Sequence, residues 1–197
     1  MPKDTDHPLE IINQGELVLL RKRIASDRAH YERWLTEGEW RQYDAPWQWT
    51  AAEEKTDQDQ KAKTQTPEVD VGVEKMAVIT TLEGAPLGWV NRYRKKLRTD
   101  AWFVGINICE DEYLNRGYGT EALRLWVDYL FANSEVHKIG LDTWSFNPRM
   151  VQVAEKIGFT YEGRQRAMQF WQGQWLDLLH YGILRSEWTR VHKGDSY

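Results

Sequence analysis

Two neighbouring stretches, Trp102-Phe103-Val104-Gly105-Ile106-Asn107-Ile108 and Leu114-Asn115-Arg116-Gly117-Tyr118-Gly119-Thr120, decide how this chain folds. The first is a short apolar run that reads as a buried strand. The second is a glycine turn that opens a helix over Thr120 to Ser134. Leu123, Trp126, Val127, Leu130 and Phe131 recur there at i, i+3, i+4, i+7 and i+8, which puts them on one apolar face. Lys138 to Thr143 follows as a short buried strand. A strand–helix–strand crossover of this kind places the second strand parallel to the first. Glycine lets a ligand approach the backbone closely. The first N–H groups of a helix lack internal partners and carry partial positive charge, so the turn is a ready anion site.

Upstream of this unit the pattern is antiparallel. Met76 to Thr81 and Leu87 to Arg94 are strands joined by a Glu83-Gly84 turn, and Lys95 to Asp100 turns the chain into the Trp102 strand. Earlier still, Glu16 to Arg23 reads as a strand. Ser26 is expected to cap a helix through Leu35 that ends before Gly38. Glu39 to Thr50 is aromatic, broken by Pro46, and expected to be irregular.

Downstream, Asn147-Pro148 pairs a strong N-cap with the residue favoured at the first helical position. Met150, Val151, Ala154 and Ile157 share that helix's apolar face, and Gly158 ends it. Two last strands, Arg164 to Trp171 and Trp175 to Leu184, turn at Gly173. The expected fold is α/β (α+β): a mixed, mostly antiparallel twisted sheet flanked by helices. One domain is expected over 16–190, with a flexible arm at 1–15, a polar loop or helix at 51–70 and a tail at 191–197.

Composition bounds the function. The chain has 197 residues with 41% hydrophobic and 28% charged residues, which suits one globular domain. A net charge of -4 argues against binding nucleic acid through bulk charge. No apolar run is long enough to cross a bilayer, and the first residues lack the apolar core of a signal peptide. The single Cys109 excludes an internal disulfide and points to a reducing compartment, with the cytoplasm as default. No metal-ligand spacing is present. Eleven tryptophans are many for this length. Most are assigned to packing, and the front cluster that includes Trp40 and Trp47 is the candidate aromatic wall of a substrate pocket.

The glycine turn alone leaves three readings open. A phosphate-binding loop of the Walker type needs a Lys followed by Ser or Thr, and neither follows Gly119 in that order. A dinucleotide fingerprint tolerates Ala122 at its third glycine, but the antiparallel hairpins do not fit a doubly wound parallel sheet. The third reading is a tight strand-to-helix turn without a ligand.

The wider pattern separates these readings. Gly105-Ile106-Asn107-Ile108 with Arg116-Gly117-Tyr118-Gly119-Thr120-Glu121-Ala122-Leu123 resembles motif A of the GNAT superfamily of acyl-CoA-dependent N-acyltransferases. Asn147-Pro148-Arg149-Met150 with Glu155-Lys156-Ile157-Gly158-Phe159 and Glu162-Gly163 resembles its motif B. Asp177, Tyr181-Gly182-Ile183-Leu184 and Glu187-Trp188 resemble the branch with ribosomal-protein N-terminal acetyltransferases.

The resemblance spans Glu16 to Trp188 and implies a GNAT-like fold and direct acetyl transfer from acetyl-CoA to an amine, without a metal. It implies a cofactor site built from Ile106, Ile108, Arg116, Gly117, Tyr118, Gly119, Thr120 and Asn147. The acceptor it implies is an amine-bearing small molecule or a protein N-terminus, and the final strands with their aromatics offer a homodimer face. Glu110, just past the central strand, is the candidate base acting through water, with Asp111, Asp142 and Glu39 behind it. Tyr181 is the candidate proton donor, and Cys109 a weaker one.

The chain departs from the pattern in two places. Leu114 and Asn115 stand where the family carries Gln or Arg and then Gly. Met150 and Ala154 stand where motif B supplies a hydroxyl. That second departure keeps a non-catalytic acyl-CoA-binding module open as an alternative, with a dinucleotide-dependent oxidoreductase behind it.

Overall fold

The computed structural model describes residues 9–48, 72–95 and 100–193. The polar stretch 51–70 and most of the two chain ends lie outside the described residues. Eight strands form one sheet: β1 (Ile11–Gln14), β2 (Val18–Arg21), β3 (Met76–Thr81), β4 (Pro86–Tyr93), β5 (Trp102–Ile108), β6 (Lys138–Trp144), β7 (Thr160–Trp171) and β8 (Gln174–Leu184). Their spatial order is β1-β2-β3-β4-β5-β6-β8-β7. Every pairing is antiparallel except β5 with β6. Among the described residues, the longer helices are α1 (Arg28–Trp34), α2 (Tyr118–Ala132), α3 (Pro148–Lys156) and α4 (Arg185–Lys193).

The helical periodicity read from the sequence is the buried face of α2. Leu123, Trp126, Val127, Leu130 and Phe131 pack with Val18, Ile79, Leu87, Val104 and Ile139 in the main core. Apolar burial of this extent is the dominant favourable term in folding. The opposite face of the sheet carries a smaller cluster of Trp34, Trp40 and Cys109 against Tyr31 and Trp89. The Trp40 ring meets Trp89 edge-on at 5.2 Å.

Several elements differ from expectation. Ile11–Gln14 is a strand paired with β2, not part of an arm. Asp27, not Ser26, anchors the start of α1: its carboxylate accepts from the Ile24 N–H at 2.8 Å and pairs with Arg21. Residues 39–42 form a 3-10 turn and residues 46–48 are helical, within a stretch expected to be irregular. β7 begins at Thr160 and bends where Ala167 adopts φ 52° and its N–H donates to Asp177 Oδ1 at 2.8 Å. The α4 helix was missed because only Trp188 and a few neighbours are apolar. Arg185 roots it by donating to the carbonyls of Phe131, Ser134 and Val136, beside the end of α2.

The crossover from β5 through α2 to β6 has the predicted parallel sense. Yet these two seven-residue strands pair only at Trp102 with Ile139 and Phe103 with Gly140. Beyond those pairs they part, and the gap between them is where the candidate site lies.

Candidate functional site

A cleft of about 510 Å3 occupies the gap between β5 and β6. Its walls are Val104 to Ile108 on one side and Leu141 to Trp144 on the other. The Cys109 N–H donates across to Leu87 O on β4 at 2.7 Å. Alternation along an antiparallel ladder therefore turns the amides of Asn107 and Gly105 toward β4 and those of Ile106 and Ile108 toward the gap. Among the described residues, these amides have no neighbouring strand at that level, so an extended ligand with amide groups can take the place of one.

The first turn of α2 closes one end of the cleft. Gly117 holds φ 92° and supplies no side-chain cap, so the leading N–H groups of the helix are left for a ligand. Asn115, at φ 59°, shares the left-handed region, which Asn tolerates better than most residues. Gly119 lies so that a β-carbon there would stand 3.4 Å from Ile108 Cγ1 and 3.9 Å from Ile106 Cδ1. The helix start and the strand thus meet side by side. Glu121 locks this arrangement from behind: its carboxylate accepts the N–H groups of Glu16, Leu17 and Val18. This donor set, open amides on a strand running into an uncapped helix start, fits an acyl-CoA, whose pantetheine is amide-rich and whose pyrophosphate is anionic.

Asn147 lines the cleft from the start of α3. Its Oδ1 accepts from the Met150 N–H at 3.1 Å and its Nδ2 donates to the Tyr43 carbonyl at 3.4 Å. It is the helix cap that its sequence position announced, and it also tethers the loop across the opening. Arg149 adds to this tie by pairing with Glu39 at 2.7 Å and lying 4.8 Å from the centre of the Tyr43 ring.

On the other side of the sheet the cleft meets Trp40, Tyr43, Asp44, Tyr93 and Trp144. Trp40 is buried and lines the cleft. Trp47 stands behind the lining, its ring edge-on to Trp144 at 4.7 Å. Asp44 is solvent-exposed at the edge of the cleft, where the surrounding protein still desolvates its carboxyl and raises its pKa, opposed by a hydrogen bond from the Asn107 side chain.

The structure brings together Ile106, Ile108, Gly117, Gly119, Thr120, Asn147 and Trp40 from the sequence reading. Arg116 is exposed and Tyr118 packs edge-on against Tyr113 at 5.0 Å, both outside the lining. The two candidate catalytic residues also lie outside it. Glu110 Oε1 accepts from Arg33 and from the Trp34 indole, which turns it toward α1. Tyr181 is buried on β8 and donates to Glu155 at 3.2 Å; burial and that bond both raise its pKa.

Among the secondary candidates, Asp142 lines the cleft but is held by Lys95 at 2.6 Å and His180 at 2.8 Å. Asp111 accepts from the Glu39 N–H. The Cys109 thiol is buried, which pushes its pKa far above the range where a thiolate forms. Met150 lines the cleft, whereas Ala154 is wholly buried in the core.

Asp44, Tyr93 and Tyr43 were missed. A carboxylate in an irregular aromatic segment carries no spacing that marks it, and strand tyrosines read as ordinary sheet residues. Among the described residues, no group of three or more His, Cys, Asp or Glu could hold a metal ion. Nor is any helix there long and apolar enough to cross a membrane.

Comparison with known proteins converges on the same fold. The family profile for an acetyltransferase (GNAT) domain matches residues 18–160. An aminoglycoside N(6')-acetyltransferase type 1 from Klebsiella pneumoniae is 27% identical over 163 residues, covering 78% of this chain and 79% of that protein. The prophage-derived N-acetyltransferase YokL of Bacillus subtilis is 27% identical over 82 residues, and the match spans 46% of its length. A spermidine N-acetyltransferase from Vibrio cholerae, solved in complex with CoA and spermine, superposes with a TM-score of 0.65 at 21% identity, covering 87% of this chain and 97% of that one.

Proposed function

The chain belongs to the GNAT acetyltransferase family of N-acetyltransferase enzymes, and from that membership we propose that it transfers an acetyl group from acetyl-CoA directly to a primary amine. The observation that carries this reading is the separation of β5 from β6 beside an uncapped helix start. A CoA thioester, when bound, supplies an activated acyl carbon. The remaining work falls to this chain.

The N–H groups of Gly117 to Thr120 hold the pyrophosphate, and the Ile106 and Ile108 amides hold the pantetheine in extended form. Fixing the amine against the acyl carbon supplies on the order of 7–11 kcal/mol of the barrier. A backbone N–H near Ile108, already oriented, favours charge developing on the acyl oxygen. The aromatic and acidic end of the cleft, around Trp40, Asp44 and Trp144, receives the acceptor. The 27% identity with an aminoglycoside acetyltransferase over most of both chains supports a small cationic amine as that acceptor.

The test is thiol release from acetyl-CoA on addition of amines: an aminoglycoside, spermidine and a short peptide with a free N-terminus. Amine-dependent release supports the proposal. The second reading, a non-catalytic acyl-CoA-binding module, is favoured by Met150 and Ala154 at the positions where a hydroxyl was expected. It predicts thermal stabilisation by acetyl-CoA with no thiol release from any amine.

A further inference from the structure

We propose that Asp44 is the residue that receives the acceptor: its carboxylate docks the acceptor's ammonium group and takes the proton that must leave before nitrogen can attack. The inference rests on the acetyl-transfer reading above and assigns it a base and a specificity element.

Position comes first. The Asp44 carboxyl is hydrogen-bonded to the Asn107 side chain and lines the cleft. Asn107 stands between Ile106 and Ile108, whose amides face the gap and whose side chains lie against Gly119 on the α2 face. Side chains alternate along a strand, so Asn107 and Asp44 lie on the opposite face from the anion site. Pyrophosphate and acceptor would therefore approach the same stretch of β5 from opposite faces of the sheet. Asp44 stands beside the residue where the two approaches meet.

The loop that carries Asp44 is fixed. Asn147 holds the Tyr43 carbonyl, the Tyr43 ring stacks on Phe146 at 6.4 Å, and Trp47 packs on Trp144. Ala45, next in sequence, is buried at φ 46°, a left-handed conformation that only surrounding structure can hold. These ties run through the neighbours of Asp44, from residue 43 to residue 47. They fix the backbone on either side of Asp44, which lines the cleft.

The rings of Trp40, Tyr43, Tyr93 and Trp144 share the Asp44 end, and aromatic faces favour an ammonium group. Partial desolvation at the cleft edge raises the Asp44 carboxyl pKa, which makes it a stronger proton acceptor than a fully hydrated aspartate.

The step balances as follows. The acceptor's ammonium loses one proton to the Asp44 carboxylate, and the freed nitrogen pair forms the new C–N bond. The C–S bond breaks with its electron pair on sulfur. The second proton on nitrogen ends on sulfur as the CoA thiol, and Asp44 returns its proton to solvent.

The experiment compares wild type, D44N and D44E in the full chain. CoA affinity is measured by calorimetry, folding by urea unfolding, and acetyl transfer as kcat/KM against pH. Among the described residues, the titratable and charged groups facing Asp44 include Tyr93 on β4 and Cys109, and Asp142 on β6 with Arg149 and Lys156 on α3 line the same cleft. None of them is changed in these variants. D44N is expected to keep CoA affinity and folding, to lower kcat/KM by about 100-fold or more, and to remove the acidic limb of the profile. D44E should restore part of the rate and the limb. D44N activity close to wild type with the acidic limb intact would overturn the proposal. If wild-type protein releases no thiol with any amine, the acetyl-transfer reading fails separately. Tryptophan-fluorescence titration with spermidine in the presence of CoA then reads docking alone: binding lost in D44N supports the assignment, and binding equal in both proteins, or absent from both, sinks it.

Discussion

The indole Nε1 of Trp34 donates to Glu110 Oε1 at 2.8 Å, and Arg33 reaches the same oxygen. Glu110 follows the central strand closely enough to look like a base, yet it serves as the acceptor for a tryptophan that is almost wholly buried. Removing it strands an indole N–H in the cluster around Trp40 and Cys109. Glu110→Ala is expected to lower stability by about 1–3 kcal/mol, read as a shift in the urea midpoint. Glu110→Gln, which keeps an acceptor oxygen for Trp34, should recover most of that loss and leave kcat for acetyl transfer unchanged. A large loss of kcat in a folded Glu110→Gln protein would return Glu110 to the chemistry.

Glu121 holds the β1–β2 turn against the start of α2 through three backbone N–H groups, at 2.7 to 2.9 Å. A carboxylate in the first turn also suits the helix dipole. Glu121→Ala leaves those donors to water and frees the turn. The expected loss is about 2 kcal/mol, with faster hydrogen exchange at Glu16 to Val18 than elsewhere in the sheet. Unchanged exchange at those amides would show that the turn is held by its own strand pairing.

The difference between Glu110 and Glu121 shows which parts of the site were legible. Local signals were readable: the 3.6 period of α2, the glycine turn, the Asn147-Pro148 helix start and the β5 run each depend on neighbours in sequence. They were enough to place Ile106, Ile108, Gly117, Gly119, Thr120 and Asn147 on one cleft. What depends on contacts between distant segments was not readable. Asp44 and Asn107 are 63 positions apart (107 − 44) and meet only because the loop after α1 crosses the face of β5. The Trp34–Glu110 bond spans 76 positions, so a carboxylate beside the central strand could not be told from one facing the cleft. The strand at Ile11–Gln14 was hidden for the same reason, since four residues with one apolar pair gain strand character only from pairing with β2.

The Arg21–Asp27 pair sets a limit at acid pH. Burial alone would raise the Asp27 carboxyl pKa, but the hydrogen bonds from Arg21 and the Ile24 N–H, with the charge of Arg21, outweigh it and hold the group below its ordinary value. A folded-state pKa below the unfolded one contributes stability that is present above the unfolded value and lost as pH falls through the folded one. Stability measured in urea should therefore fall below about pH 4. Arg21→Met leaves a buried carboxylate without its cation and is expected to cost about 3–5 kcal/mol at neutral pH. It should also reverse the slope, because Asp27 would then gain a proton on folding. A variant with the wild-type slope would assign the acid sensitivity to other carboxylates.

Gly117 and Gly84 both hold left-handed backbone, at φ 92° and φ 94°. Alanine at either position faces the same conformational penalty, about 1–2 kcal/mol. Their surroundings differ. Gly84 sits in the turn between β3 and β4 with no atom of the described residues within 4 Å of an added β-carbon, whereas Gly117 opens α2 at the end of the cleft. Gly117→Ala and Gly84→Ala are therefore expected to shift the urea midpoint by similar amounts, while only Gly117→Ala weakens CoA binding measured by calorimetry. The comparison separates backbone strain from ligand contact, since Gly84→Ala carries the first without the second. Equal CoA affinity in both variants would show that the start of α2 does not hold the pyrophosphate. That result would leave only the Ile106 and Ile108 amides to account for binding.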